Sequence, residues 1–177
     1  ELKPQELDFP EAAQIGSTLS LRGDFPRARF SGQELPVART TTPRGEVLSS
    51  LRFPGDLAQG PGTLDLEGPD GQSRPHPLFI YDIIGGRLDQ RSLLSGNVTQ
   101  GEYLVCVGST DTKKIRARIF AVGPVRFRGK GGKGKLFEES FPVEPNGLVR
   151  IPFGIQAEKT GISAGIPFRL SLRLNRD

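Results

Sequence analysis

Hydrophobic and polar positions alternate along this chain in short period-two runs, and glycine or proline cuts each run before a helix completes. Residues 15–21 alternate, with Leu19 and Leu21 facing one way, and Arg22-Gly-Asp-Phe25 turns the chain before a run over 28–30 and a turn at Ser31-Gly32. Residues 47–53 hold Leu51 and Phe53 in phase and stop at Pro54-Gly55. Residues 63–67 follow Gly60-Pro-Gly62 and end in the strong turn Gly68-Pro-Asp-Gly71. A continuous apolar strand covers 78–81, and a short strand is expected over 7–9.

The second half repeats this grammar, with a strand over 101–108 and another in which Ile115, Ala117 and Ile119 face a core while Lys114, Arg116 and Arg118 face out. A Gly123-Pro124 break leads into 125–128, and then into the glycine-lysine loop 129–135. Residues 136–143 and 148–153 flank Pro145-Asn-Gly147 as a hairpin, and 168–174 alternate strictly with Arg169 and Arg173 on the polar side. Residues 87–94 read as one helical turn or an edge segment. No 3.6-residue apolar stripe is sustained.

Strands this short, with turns about every 8 to 12 residues, predict β-sandwiches. The expected class is all-β, two immunoglobulin-like β-sandwich modules in tandem. Gly85-Gly86 follows the closed apolar strand and gives a flexible joint, so the modules are placed at 1–84 and 85–177. The run 62–68 also aligns by eye with 101–108, each a glycine, alternating apolar residues and a second glycine.

Ile15-Gly-Ser-Thr-Leu-Ser-Leu-Arg-Gly-Asp-Phe25, Ala28-Arg-Phe-Ser-Gly32, Leu51-Arg-Phe-Pro54, the glycine-led run 60–66 and Gly68-Pro-Asp-Gly-Gln-Ser73 resemble the IPT/TIG family of immunoglobulin-like domains. The resemblance covers about residues 5–82. The second strand lacks the family's paired glycines, and the stretch 36–44 is longer than its pattern. What the resemblance implies is a sandwich used as a spacer or binding module, commonly in surface proteins, with no catalytic residues.

Charge divides the chain. Residues 1–85 carry 8 Lys+Arg against 12 Asp+Glu, and residues 86–177 carry 16 against 8, within a net charge of +4. A basic half binds a polyanion, binds an acidic neighbour, or serves solubility. Glycine (23) and proline (15) are spread over all 177 residues, which disfavours long helices, and no apolar run approaches the roughly 20 residues of a membrane helix. The chain starts at Glu1 and has no methionine, which reads as a processed or truncated piece of a longer precursor. The single Cys106 forms no internal disulfide and has the parity of a buried strand position.

Arg116, Arg118, Arg126, Arg128, Lys130, Lys133 and Lys135 are the candidate binding residues, carried on two strands and a loop whose glycines predict a mobile backbone. The loop is no phosphate-cradling P-loop: no Ser or Thr follows a Gly-Lys pair, and no helix pattern follows it. Phe127 has the opposite phase to the arginines, which leaves single-stranded nucleic acid without a stacking platform. Asp65, Glu67 and Asp70 fall short of a calcium loop, and the single His76 leaves a zinc site or a Ser-His-Asp triad without partners. Asn97-Val-Thr99 fits a glycosylation acceptor. A glycosidase-type carboxylate pair has no sequence signature and is left to geometry.

The sequence therefore predicts a non-catalytic structural or binding module of a secreted, periplasmic or cell-surface bacterial protein. No cofactor, metal or disulfide is expected. Its expected partner is a protein or glycan, met through strand edges and a basic face; the alternative is a nucleic acid or other polyanion held by the same cations.

Overall fold

The computed structural model describes residues 10–108, 113–158 and 168–176. The strand expected over 7–9 lies outside them. The chain is all-β, with fifteen strands and one short helix among the described residues. It divides into two units, Glu1–Tyr81 and Asp82–Asp177.

In the first unit, β1 (Ala12–Gln14), β2 (Thr18–Arg22), β3 (Arg27–Phe30), β4 (Gln33–Leu35), β5 (Val37–Thr41), β6 (Val47–Arg52), β7 (Gly60–Glu67) and the first half of β8 (Ser73–Leu88) form two sheets. One runs β4-β3-β7-β8, with β1 added in parallel to Phe79–Tyr81; the other runs β2-β6-β5. Phe30, Leu64, Leu66, Leu78 and Ile80 from the first meet Leu21 and Leu51 from the second in one core with Phe53 and Leu57. Buried Ser49 is satisfied, donating to the Gly23 carbonyl (2.8 Å) and accepting from the Phe25 amide (2.9 Å), and so ties the 22–26 turn to β6.

Three strands here, β1, β4 and β5, have no counterpart in the sequence reading. Ser31-Gly32 is a two-residue hairpin turn, φ +47° and +86°, which folds β4 back on β3. The long stretch 36–44 holds β5, whose residues 38–41 are exposed on both sides and so show no alternation. Pro75 and Pro77 in β8 share the parity of Phe79, whose amide turns away from β7 to the Glu11 carbonyl. Their missing donors therefore fall on the side away from β7, where an edge tolerates proline.

The second unit contains the rest of β8, α1 (Gln90–Leu94), β9 (Thr99–Cys106), β10 (Lys114–Val122), β11 (Val125–Arg128), β12 (Gly132–Lys133), β13 (Leu136–Pro142), β14 (Leu148–Ala157) and β15 (Arg169–Arg176). One layer is ordered β11-β14-β9-β8 and the other β12-β13-β10-β15. Their inner faces meet through aromatic rings: Phe127 packs on Phe137 (5.9 Å between centroids) and Phe153 (6.0 Å), and Phe137 on Phe153 (6.4 Å). Ile115, Ala117 and Ile119 are fully buried, as their alternation predicts. Asp89 caps α1, accepting from the amides of Arg91 and Ser92.

Three expectations are corrected. Gly85 and Gly86 are paired strand residues of β8, opposite Leu104 and Tyr103, and the irregularity is a bulge between Ile83 and Gly85 in place of a free joint. Pro145-Asn-Gly147 does turn the chain, with the Glu144 amide on the Leu148 carbonyl, but β13 pairs with β10 and β12 while β14 pairs with β9 and β11. The turn thus passes from one layer to the other. A Cβ on Gly147 (φ +78°) would stand 2.3 Å from the Gly108 carbonyl oxygen, so the crossing requires glycine.

The third correction concerns the glycine-lysine loop, which is built structure. Gly129, Gly131 and Gly134 supply positive φ angles, Gly132–Lys133 pairs with Phe137 and Leu136, and the Phe127 amide donates to the Gly134 carbonyl at 2.8 Å. The three positive-φ glycines serve sharp reversals, and the carbonyl of each accepts a backbone hydrogen bond, from the amides of Gly132, Glu138 and Phe127.

Candidate functional site

Alternation on β10 leaves Lys114, Arg116, Arg118, Phe120 and Val122 pointing away from the core, and antiparallel register decides what stands beside them. Arg118 lies between Glu138 of β13 and Arg173 of β15, Arg116 between Ser140 and Asn175, Phe120 between Leu136 and Ser171, and Val122 beside Arg169. Lys133 joins the same face opposite Leu136. Lys114, Arg116, Arg118, Lys133, Arg169 and Arg173 thus share one outward face of a four-stranded layer, and Glu138 is the one carboxylate among its strand positions.

Glu138 is divided between two cations, its Oε2 accepting from Arg118 Nε at 2.8 Å and its Oε1 meeting Arg116. Arg173 lies over the exposed Phe120 ring, 5.8 Å from its centroid. Neighbouring strands lie about 4.8 Å apart and same-face residues repeat about every 6.8 Å along a strand, so these charges form a regular cationic lattice.

The seven sequence candidates are not one surface. Arg116, Arg118 and Lys133 stand on this face. Arg126 and Arg128 point outward from β11, on the opposite layer, because their neighbours Val125 and Phe127 fill the core. Arg128 donates to Gln156 there at 2.8 Å. Lys130 pairs with Glu139 at 3.4 Å. Lys135 is structural: its ammonium donates to the carbonyls of Gly123 and Val125 (2.7 Å to the latter) and pairs with Glu158 at 2.7 Å. Arg169, Arg173 and Phe120 belong to the face but were not candidates. The sequence did carry their phase; what it lacked was the pairing of β10 with β15.

Elsewhere, local environments shift several titratable groups. Burial, and then the nearby Arg74, lower the pKa of His76 below the ordinary imidazole value. Burial raises that of Tyr103, which stacks on Phe153 at 5.5 Å. The Ser92 hydroxyl and amide lower that of Asp89 at its helix cap. Among the described residues no group of three or more His, Cys, Asp or Glu is placed to hold a metal ion, and no helix is long and apolar enough to cross a membrane.

No family model matches the sequence, and no curated protein is similar to it in sequence. Among solved structures, the chain is similar to the Bacteroides ovatus mixed-linkage glucan utilization locus protein SGBP-B in complex with a mixed-linkage heptasaccharide, at 8% identity and TM-score 0.41, covering 83% of this chain and 49% of that one. It is also similar to trypsin-activated α-2-macroglobulin from Escherichia coli, at 12% identity and TM-score 0.29, covering 94% and 15%. The secreted serine protease VesC from Vibrio cholerae aligns at 9% identity and TM-score 0.21, covering 94% and 49%. The chain thus spans about half or less of the length of each of these structures.

Proposed function

We propose that this chain is a non-catalytic binding part of a secreted or cell-surface bacterial protein, built from two immunoglobulin-like sandwiches, the first of the IPT/TIG type. Its docking surface is the outward face of β10, β13 and β15, and its partner is an anionic protein or acidic glycan. One observation supports this above others: with Lys133 of the adjoining β12, six cations stand at the described strand positions of that face against one carboxylate, Glu138. Ordinary solvated faces mix the signs, and an unbalanced face raises the local concentration of a polyanion and orients it. Arginine's planar fork suits carboxylates and sulfates, which it binds in bidentate fashion.

A nucleic acid fits this face less well. Its one exposed aromatic ring, Phe120, already carries Arg173, so no row of rings is left for bases to stack on. The test is titration of the full chain with a polyuronate, poly-glutamate and a mixed-sequence single-stranded DNA. Affinity for the first or second should fall roughly fifty-fold between about 50 and 200 mM salt. No binding of either at low salt overturns the reading, and tighter binding of DNA replaces it with the nucleic-acid alternative.

A further inference from the structure

The inner face of β13 breaks the apolar alternation that its neighbour β10 keeps. Inner positions of β10 are Ile115, Ala117, Ile119 and Ala121, all buried, whereas those of β13 are Phe137, Glu139 and Phe141. A carboxylate therefore occupies a core parity, opposite Ala117, with its side chain 24% exposed. Neither layer closes over it. β12 pairs with β13 at Leu136 and Phe137, and β11 pairs with β14 from Gly154 onward; among the described residues no strand pairs with either edge beyond these points.

Between the open edges lies a cleft of about 280 Å³, lined by Lys130, Phe137, Glu139, Ser140, Phe141 and Pro152. Phe137 and Phe141 are nearly parallel, 6.2 Å apart at 17°, and provide an apolar wall. Glu139 and Lys130 stand 3.4 Å apart as an adjacent acceptor and donor. Gly131 packs close behind the carboxylate: a Cβ there would lie 3.2 Å from the Glu139 Oε2 and 3.0 Å from the Phe137 ring. Pro152 has no amide on the open side of β14, so it cannot offer that edge to a pairing strand.

We propose that this cleft binds one ring of a neutral sugar. A pyranose has an apolar C–H face for the Phe141 side and vicinal hydroxyls, one donating to Glu139 while its neighbour accepts from Lys130. A free cation would meet Lys130 and a free anion Glu139. A wholly apolar ligand would strip water from the ion pair without replacing its hydrogen bonds. The volume lies just below the range of about 300–1,000 Å³ for drug-sized ligands, and so suits a single ring.

The inference does not depend on the cationic face. The full ¹⁵N-labelled chain is titrated with the methyl glycosides of glucose, galactose, mannose and N-acetylglucosamine, and with cyclohexanol as an apolar control. At least one glycoside should give saturable amide shifts at Gly131, Glu139–Phe141 and Phe153, with a Kd of about a millimolar. Phe141→Ala should weaken it about tenfold, and Glu139→Gln roughly threefold or more. Replacing Arg116, Arg169 and Arg173 by serine should leave this binding intact, which separates it from polyanion docking. No saturable shift with any glycoside overturns the proposal, as do equal shifts with cyclohexanol or unchanged binding in the variants. If Phe141→Ala fails to fold by circular dichroism, the isosteric Glu139→Gln decides.

Discussion

The two outward faces of the second unit carry arginines in similar number but differ in what stands beside them. On the β14 layer, Arg150 has Glu102 at 3.7 Å and Glu144 at 3.4 Å, Arg87 shares Glu102 at 3.7 Å, and Arg128 is bonded to Gln156. On the β10 layer, Glu138 pairs with Arg116 and Arg118, and no other carboxylate stands at a described strand position beside Lys114, Lys133, Arg169 or Arg173. The first unit resembles the matched face: Glu34 takes both Arg27 and Arg29, and Asp24 takes Arg39. Counting charge along a sequence misses this distinction, because a surface acts through its unmatched charge, and matching is decided by cross-strand register.

The largest expected effect tests the comparison directly. Arg116→Ser, Arg169→Ser and Arg173→Ser together should weaken polyanion binding roughly a hundredfold and flatten its salt dependence. The triple on the β14 layer, Arg87→Ser, Arg128→Ser and Arg150→Ser, should change affinity less than about threefold, since Glu102 and Glu144 stand beside Arg87 and Arg150 and Arg128 is held by Gln156. Equal losses in the two triples, measured by titration at fixed salt, would make net charge the only determinant.

Lys135→Met separates a sequence candidate from the face. Its ammonium bonds two backbone carbonyls and Glu158, so its loss leaves those carbonyls short of a donor. Destabilisation of about 1–2 kcal/mol by denaturant unfolding is expected, with polyanion affinity unchanged. A drop in affinity without a change in stability would return Lys135 to the binding surface.

These cases show how much was legible. β10 and β15 could be read because one side of each is buried and the other wet, which is what alternation records. β5 escaped because residues 38–41 are exposed on both sides, and β12 because two residues between glycines carry no period. The turn at Asn146-Gly147 was visible, but turn chemistry does not say that β13 and β14 join different layers. Likewise the parity of Arg173 was readable, whereas its place beside Arg118 depends on a contact 55 positions away in sequence. The cleft left a trace in the sequence, the Phe137, Glu139, Phe141 parity, whose meaning required knowing that both edges stay open.

Glu138→Gln works in the opposite direction to the arginine variants. It removes the single carboxylate among the face's described strand positions, so polyanion affinity should rise roughly threefold. Both ion pairs involve half-exposed arginines, and the stability loss should stay within about 1 kcal/mol. Unchanged affinity would mean that Arg116 and Arg118 are engaged in the complex as freely as if unpaired.

The smallest effect, and the sharpest, comes from the same substitution on the other layer. Glu102→Gln also removes one carboxylate, so its change in net charge equals that of Glu138→Gln. It frees Arg87, but Arg150 keeps Glu144, and both of its contacts are already long at 3.7 Å. Affinity should therefore rise by less than about twofold, with no measurable loss of stability, as expected for loosely held exposed pairs. Because the two variants differ only in where the charge is lost, the ratio of their affinity gains reports which face the polyanion touches. A ratio of one would mean that binding follows the summed field of the unit; a ratio reversed in favour of Glu102→Gln would move the docking surface to the β14 layer.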